Sequence, residues 1–158
     1  MSIERARAYL RARGKEDRVI EFTVSSATVE LAAQALGCQP AHIVKTMSFD
    51  CAGKTILVAA AGDVKVNSSK YKQRFGVKAK MLTAGEVESR VGHGVGGVCP
   101  FGVEPGVEVY LDESLRRFET VYPAAGNAAS AVRLSPDELA SLLPGAQWVD
   151  VCKVPEHA

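Results

Sequence analysis

Two strand-like runs joined by a short turn, IVKTMSF at residues 43–49 and TILVAAAG at 55–62 with DCAGK between them, constrain the fold more than any other feature. Apolar runs separated by a Gly-containing turn predict a β-hairpin. The second arm does not alternate, so it is expected to be covered on both faces. The first arm alternates, placing Ile43, Lys45, Met47 and Phe49 on one side and Val44, Thr46 and Ser48 on the other. Its one charge falls in the more apolar register, where an unpaired ammonium is costly to bury. Such a lysine either snorkels, with a packed stem and a solvated head, or stands in a pocket aimed at an anion or a developing negative charge. The residues alone weigh the two evenly.

Around the hairpin, helices and strands mix without a regular βαβ rhythm, which predicts one mixed-sheet α+β domain over 1–158. Ile3, Ala6, Tyr9 and Leu10 recur at helical spacing up to Gly14. A strand is expected at 18–24. Ser25 and Ser26 are candidate caps for a helix over 28–36, stopped by Gly37. VNSSKYKQRFG reads as a helix closed by Gly76. Thr83 with Glu86, and Ser135 with Glu138, form capping boxes. Pro136 then suits the first position of a helix over 136–143. Strands are expected around VEVYL, ETVYPAAG and SAVRLS, with WVDVCKV as a closing strand.

The 19 Lys and Arg nearly balance the 18 Asp and Glu, which excludes histone-like binding but not a local patch. Such a patch lies at 65–80, where Lys65, Lys70, Lys72, Arg74, Lys78 and Lys80 occur without an acid. It can hold a phosphate backbone or simply form a solvated helix face. Tyr71 and Phe75 within it either stack on bases or pack in the core. No apolar run approaches the roughly 20 residues that span a bilayer, and the charged start has no apolar signal segment. The expected location is therefore cytoplasmic, with no membrane partner. Cys38, Cys51, Cys99 and Cys152 form no CxxC and no zinc-like spacing, so neither a metal nor another cofactor is expected.

Between the two capping boxes lies VGHGVGGVCPFGVEPG, with six glycines and two prolines. Glycines let the backbone approach a ligand closely, and such a loop can present N–H groups to an oxyanion or phosphate. It is neither a P-loop nor a dinucleotide fingerprint. Cys99 and His93 within it are a weak candidate nucleophile and base, and a pocket-lining thiol is the preferred reading. His42 and His157 are expected at the surface.

Taken in order, QALG, HIVKTMSF, AAAGDVKVNSSK, VESRVGHGVGGVCPFG, VYLDESL, VYPAAG and LSPDEL resemble the YbaK/EbsC family, free-standing relatives of the prolyl-tRNA synthetase editing domain. The resemblance implies a compact fold with a mixed, mostly antiparallel, barrel-like sheet and surrounding helices. It also implies hydrolysis of misacylated aminoacyl-tRNA in trans to the synthetase. Lys45 corresponds to the family's functional lysine, with Thr46 beside it as a substrate contact. Gly96, Gly97, Pro100 and Gly102 match the GG-x-x-P-x-G loop, and Gly126 matches a later strand-turn glycine. Lys45 and the N–H groups of Gly96 and Gly97 would then polarise the ester, while Cys99, Pro100, Gly102 and Gly126 line the substrate site. Lys65, Lys70, Lys72 and Arg74 would contact tRNA. Two departures are Cys99, where relatives often have serine or another small residue, and Asn127-Ala128-Ala129 after Gly126, where many members have a basic residue and a second glycine. The alternatives are a binding module for aminoacyl-tRNA, a nucleotide or a synthetase, and a thiol hydrolase built on Cys99.

Overall fold

The computed structural model describes residues 2–23 and 28–155. Its centre is the expected hairpin. Strands β2 (Ile43–Cys51) and β3 (Lys54–Ala61) pair antiparallel over eight residue pairs. Their two-residue loop places Ala52 at φ 52° and Gly53 at φ 90°, the positive dihedrals that match a turn to the twist of the strands. Asp50 Oδ1 accepts the Gly53 N–H at 2.9 Å and closes the loop.

The non-alternating arm is covered on both faces, as its composition demands. Residues 56–61 of β3 are all buried. Leu57 packs with Leu82, Val87 and Val91. Ile56, Val58 and Ala60 belong to the main core with Tyr71, Phe101 and Leu111. Helix α4 (Ala84–Val91) supplies much of the first cover. Helices α1 (Ser2–Arg11) and α3 (Ser68–Phe75) contribute Ala6, Leu10 and Tyr71 to the main core.

β2 and β3 sit inside a five-stranded sheet of order β6-β2-β3-β5-β8, completed by β5 (Glu108–Asp112), β6 (Tyr122–Pro123) and β8 (Gln147–Val149). The sheet is mixed, as expected. Its one long pairing is antiparallel, and the three short ones, β2–β6, β3–β5 and β5–β8, are parallel. Two antiparallel ribbons flank it. One joins β1 (Val19–Glu21) to β7 (Ser130–Val132), the other β4 (Lys65–Val66) to β9 (Cys152–Lys153).

The expected caps form where side chains can reach orphan N–H groups. Asn67 accepts from Lys70 N at 3.0 Å at the start of α3, and Gly76 ends it at φ 79°. Glu86 accepts the Thr83 N–H at 3.1 Å. In α5 (Pro136–Ser141), Ser135 and Glu138 cap one another at 3.1 and 2.9 Å. Ser25 and Ser26 lie outside the described residues. Thr28 caps α2 (Val29–Leu36), accepting from Leu31 N at 3.2 Å, and Gly37 stops it.

Three strand expectations change. Of the strand expected at 18–24, Val19–Glu21 forms among the described residues, and Val24 lies outside them. The ETVYPAAG strand shrinks to Tyr122–Pro123, since proline has no N–H for a ladder. WVDVCKV divides after Val149, and its second half leaves the main sheet to pair with β4. Among the described residues no helix is long and apolar enough to cross a membrane.

Candidate functional site

A cleft of about 370 Å³ opens between α2, β2, the start of α4, the Gly-rich loop and the segment around β6 and β7. Its walls are mainly apolar, from Met47, Leu82, Val87 and Val98, with Met81 and Val95 exposed at the rim. Polar residues in its lining include Lys45, Thr46, Asn127 and Ser130. The volume lies at the lower end of small-molecule sites.

Lys45 lies opposite Ala60, a small neighbour across the hairpin. It is half-buried, and its ammonium donates to the Val64 carbonyl. Burial holds its pKa below the ordinary lysine value of 10.5; the charge on Asp63 opposes the shift, and Lys65 reinforces it. Asp63 does not pair with Lys45. Its carboxylate is gripped by Arg117 at 2.6 and 3.2 Å, which lowers the acid's own pKa. Among the described residues no carboxylate lies within ion-pair distance of Lys45. An ammonium has three N–H donors, so two remain for an incoming acceptor. The hydroxyl of Thr46, the next residue along β2, is buried without a partner among the described residues.

The far wall is built from two loops in contact. A Cβ on Gly97 would lie 2.5 Å from the Gly126 carbonyl and from Asn127 Cα. Only glycine permits that approach. Gly96 and Gly126 take φ of 88° and 99°, values that L side chains resist. The structure thus brings Lys45, Thr46 and Gly96 to the cleft, with Gly97 and Gly126 joining its wall from behind. The Gly97 N–H donates to the Gly94 carbonyl at 3.0 Å, whereas the Gly96 N–H meets no acceptor among the described residues.

Cys99, Pro100 and Gly102 are placed elsewhere. Pro100 and Gly102 border a separate cavity of about 400 Å³ on the other side of the loop. Cys99 is fully buried in the core rather than facing the cleft. Burial pushes its thiol up to about 12. Its sulfur lies 3.5 Å from His93 Nε2, but that nitrogen is 2.6 Å from the Phe101 carbonyl. A carbonyl only accepts, so Nε2 carries the proton and cannot take one from the thiol. The pair is structural.

The basic segment is also divided. Lys65 and Lys72 are exposed. Lys70 is engaged by Asp150 and the Cys152 carbonyl at 3.0 and 3.1 Å, and Arg74 by Gln147 at 2.7 Å. Tyr71 is buried against Phe49 and Phe75, and Phe75 is wedged between Tyr71 and Tyr110, so neither ring is a platform for bases. His42 stacks on Phe118 and meets the Thr120 carbonyl at 3.1 Å instead of standing free. His157 lies outside the described residues. Among those residues no group of three His, Cys, Asp or Glu could hold a metal.

Two contributors have no signal in the sequence. Arg5 of α1 donates to the Gly102 carbonyl at 2.7 Å and pairs with Glu104 at 2.7 Å, and its guanidinium lies against Gly92. One side chain therefore clasps both ends of the Gly-rich loop. Gly62, just after β3, leaves room for the Pro40 carbonyl and Val29 at the edge of the cleft.

A curled mixed sheet with a cation-bearing, glycine-walled cleft defines a pocket domain of the α+β class, suited to a ligand with a polar, electron-rich centre. The chain belongs to the aminoacyl-tRNA editing domain family, whose sequence model matches residues 23–142. It is 47% identical over 154 residues to YwhH, an uncharacterized protein of Bacillus subtilis (strain 168), covering 97% of this chain and 98% of that one. It is 32% identical over 130 residues to a proline–tRNA ligase of Desulfovibrio desulfuricans, matching 82% of this chain but 22% of the ligase. Among solved structures, a candidate trans-editing enzyme for prolyl tRNA synthetase superposes with a TM-score of 0.87 at 31% identity, covering 96% of this chain and 97% of that one.

Proposed function

We propose that the protein is a trans-acting hydrolase that deacylates misacylated aminoacyl-tRNA, cleaving the ester at the tRNA 3′ end. The observation that carries this reading is the half-buried Lys45, free of any carboxylate among the described residues, in a cleft that Gly96, with no acceptor for its N–H among those residues, also lines. Family membership supplies the substrate class.

The ester carbonyl is held by the Lys45 ammonium and the Gly96 N–H. Water adds to the carbonyl carbon, and these two donors stabilise the oxyanion that forms. The C–O bond to the ribose then breaks, and the proton from water passes to the departing ribose oxygen. No side-chain nucleophile or metal takes part. Gly97 shapes the wall rather than donating, because its N–H already serves Gly94. The confined, mainly apolar walls suit small residues such as alanine, cysteine, serine or threonine. The protein acts in the cytoplasm, on aminoacyl-tRNA bound directly or released by a synthetase.

Lys45→Ala should lower the deacylation rate about 10²–10³-fold, the usual effect of losing one oxyanion donor. Cys99→Ala should retain activity. Rapid-quench measurement of ester loss separates the two, and an inactive Cys99→Ala that melts like the wild type would replace this mechanism with thiol chemistry.

A further inference from the structure

β4 and β9 pair so that Lys65 stands directly opposite Lys153. Side chains directly opposite on an antiparallel ribbon lie about 5 Å apart at Cβ, and like charges there are destabilising. Both lysines are exposed, and neither has an ion-pair partner among the described residues. They border a cavity of about 260 Å³ with Asp63, Val154 and Pro155. The acid in that lining is already held by Arg117 at 2.6 Å, so it does not relieve the repulsion.

The ribbon is tied to Lys45. Lys45 donates to the carbonyl of Val64, the residue immediately before Lys65. One peptide unit thus separates the anchor of the cleft's ammonium from the ribbon's first lysine. By contrast, Lys70 and Arg74 on α3 are engaged by Asp150 and Gln147.

We propose that Lys65 and Lys153 form a clamp for one phosphodiester of the substrate's single-stranded 3′ end, fixing the strand while its terminal ester lies at Lys45. This rests on the deacylase reading and adds Lys153, together with a path along the β4–β9 ribbon rather than along α3. Two cations opposed at one rung fit a bridging anion, and a phosphate oxygen on either side relieves a repulsion that the fold otherwise carries.

The test compares wild type, Lys65→Gln/Lys153→Gln and, as a control, Lys54→Gln, whose lysine begins β3 and pairs with Glu108, using uncharged tRNA in a salt series, and tRNA and aminoacyl-adenosine esters as substrates. The double variant should melt no lower than wild type, because a repulsion is removed. Its tRNA affinity should fall roughly 3–10-fold, and the slope of log K against log[salt] should shrink by about 0.7, the value for one phosphate on a single strand. It should cleave aminoacyl-tRNA with a raised KM and unchanged kcat, and cleave the phosphate-free adenosine ester at the wild-type rate. Lys54→Gln should leave the slope unchanged. If the double variant keeps the wild-type affinity and slope while wild type deacylates, the clamp is wrong and the deacylase reading stands. If wild type cleaves neither ester, the deacylase reading fails, while a reduced slope in the double variant would still support the clamp. Competition by millimolar orthophosphate as strong as that by tRNA would make the ribbon a free-phosphate site and overturn the proposal.

Discussion

A single methyl group at position 97 would collide with backbone on the opposite loop, 2.5 Å from the Gly126 carbonyl. Backbone cannot swing aside as a side chain can, so Gly97→Ala should destabilise the fold by about 1–3 kcal/mol and reduce deacylation by parting the two loops. Gly85 is the natural control. It lies in α4 without positive φ, and nothing stands within 4 Å of the Cβ it lacks. Gly85→Ala should raise stability by about 0.5–1 kcal/mol through helix propensity alone. Thermal melts of both variants check the pair, and equal melting temperatures would contradict the loop contact. At this scale the sequence is half legible. Alternation marks Lys45 as anomalous, but its acceptor is a main-chain carbonyl nineteen residues away, which no pattern encodes. Cys99 shows the converse. Its glycine-rich neighbours suggest a cleft, whereas burial against His93 and Phe101 depends on which side of the loop faces the core.

Among the elements, the hairpin and the capping boxes are readable because their determinants are local. Glu138 shows how far a cap extends beyond its own helix. Its carboxylate is held down to about 2 by the Ser135 N–H first, then by Arg18 and Lys15 from the segment before β1. A carboxylate with a depressed folded pKa stabilises the fold above its unfolded value, and that contribution disappears as pH falls through the folded one. The melting temperature should therefore drop between about pH 4.5 and 2 in the wild type, and drop less in Glu138→Gln. Identical acid profiles would detach this network from stability. Helix α1 makes the second long-range tie, through Arg5, and it lies outside the part matched by the family model. Arg5→Ala should speed amide exchange in residues 92–104 while leaving α5 protected. Exchange unchanged in the loop would show that the clasp is dispensable. The bounds and pairing of strands β6 and β9 escape sequence reading for the opposite reason. Each strand is two residues long and exists only because a partner strand, distant in the chain, is there to pair with it.

Across the whole molecule, the cleft draws on β2, the start of α4, the Gly-rich loop and the turn before β7, segments spread over roughly half the chain. The order of motifs makes the family legible in the sequence. The division of labour among the glycines and lysines is not, because it depends on which N–H and which ammonium the fold has already engaged. The central claim is that this cleft hydrolyses an aminoacyl ester with Lys45 as its charged donor. The most direct measurement is deacylation of tRNAs charged with alanine, cysteine, serine, threonine and proline by the full chain, each beside Lys45→Ala. The account predicts rapid loss of one or two of the small-residue esters and a fall of about 10²–10³-fold in the variant. Survival of every ester while the tRNA still binds would contradict it, and would make the cleft a recognition site in which Lys45 anchors a ligand.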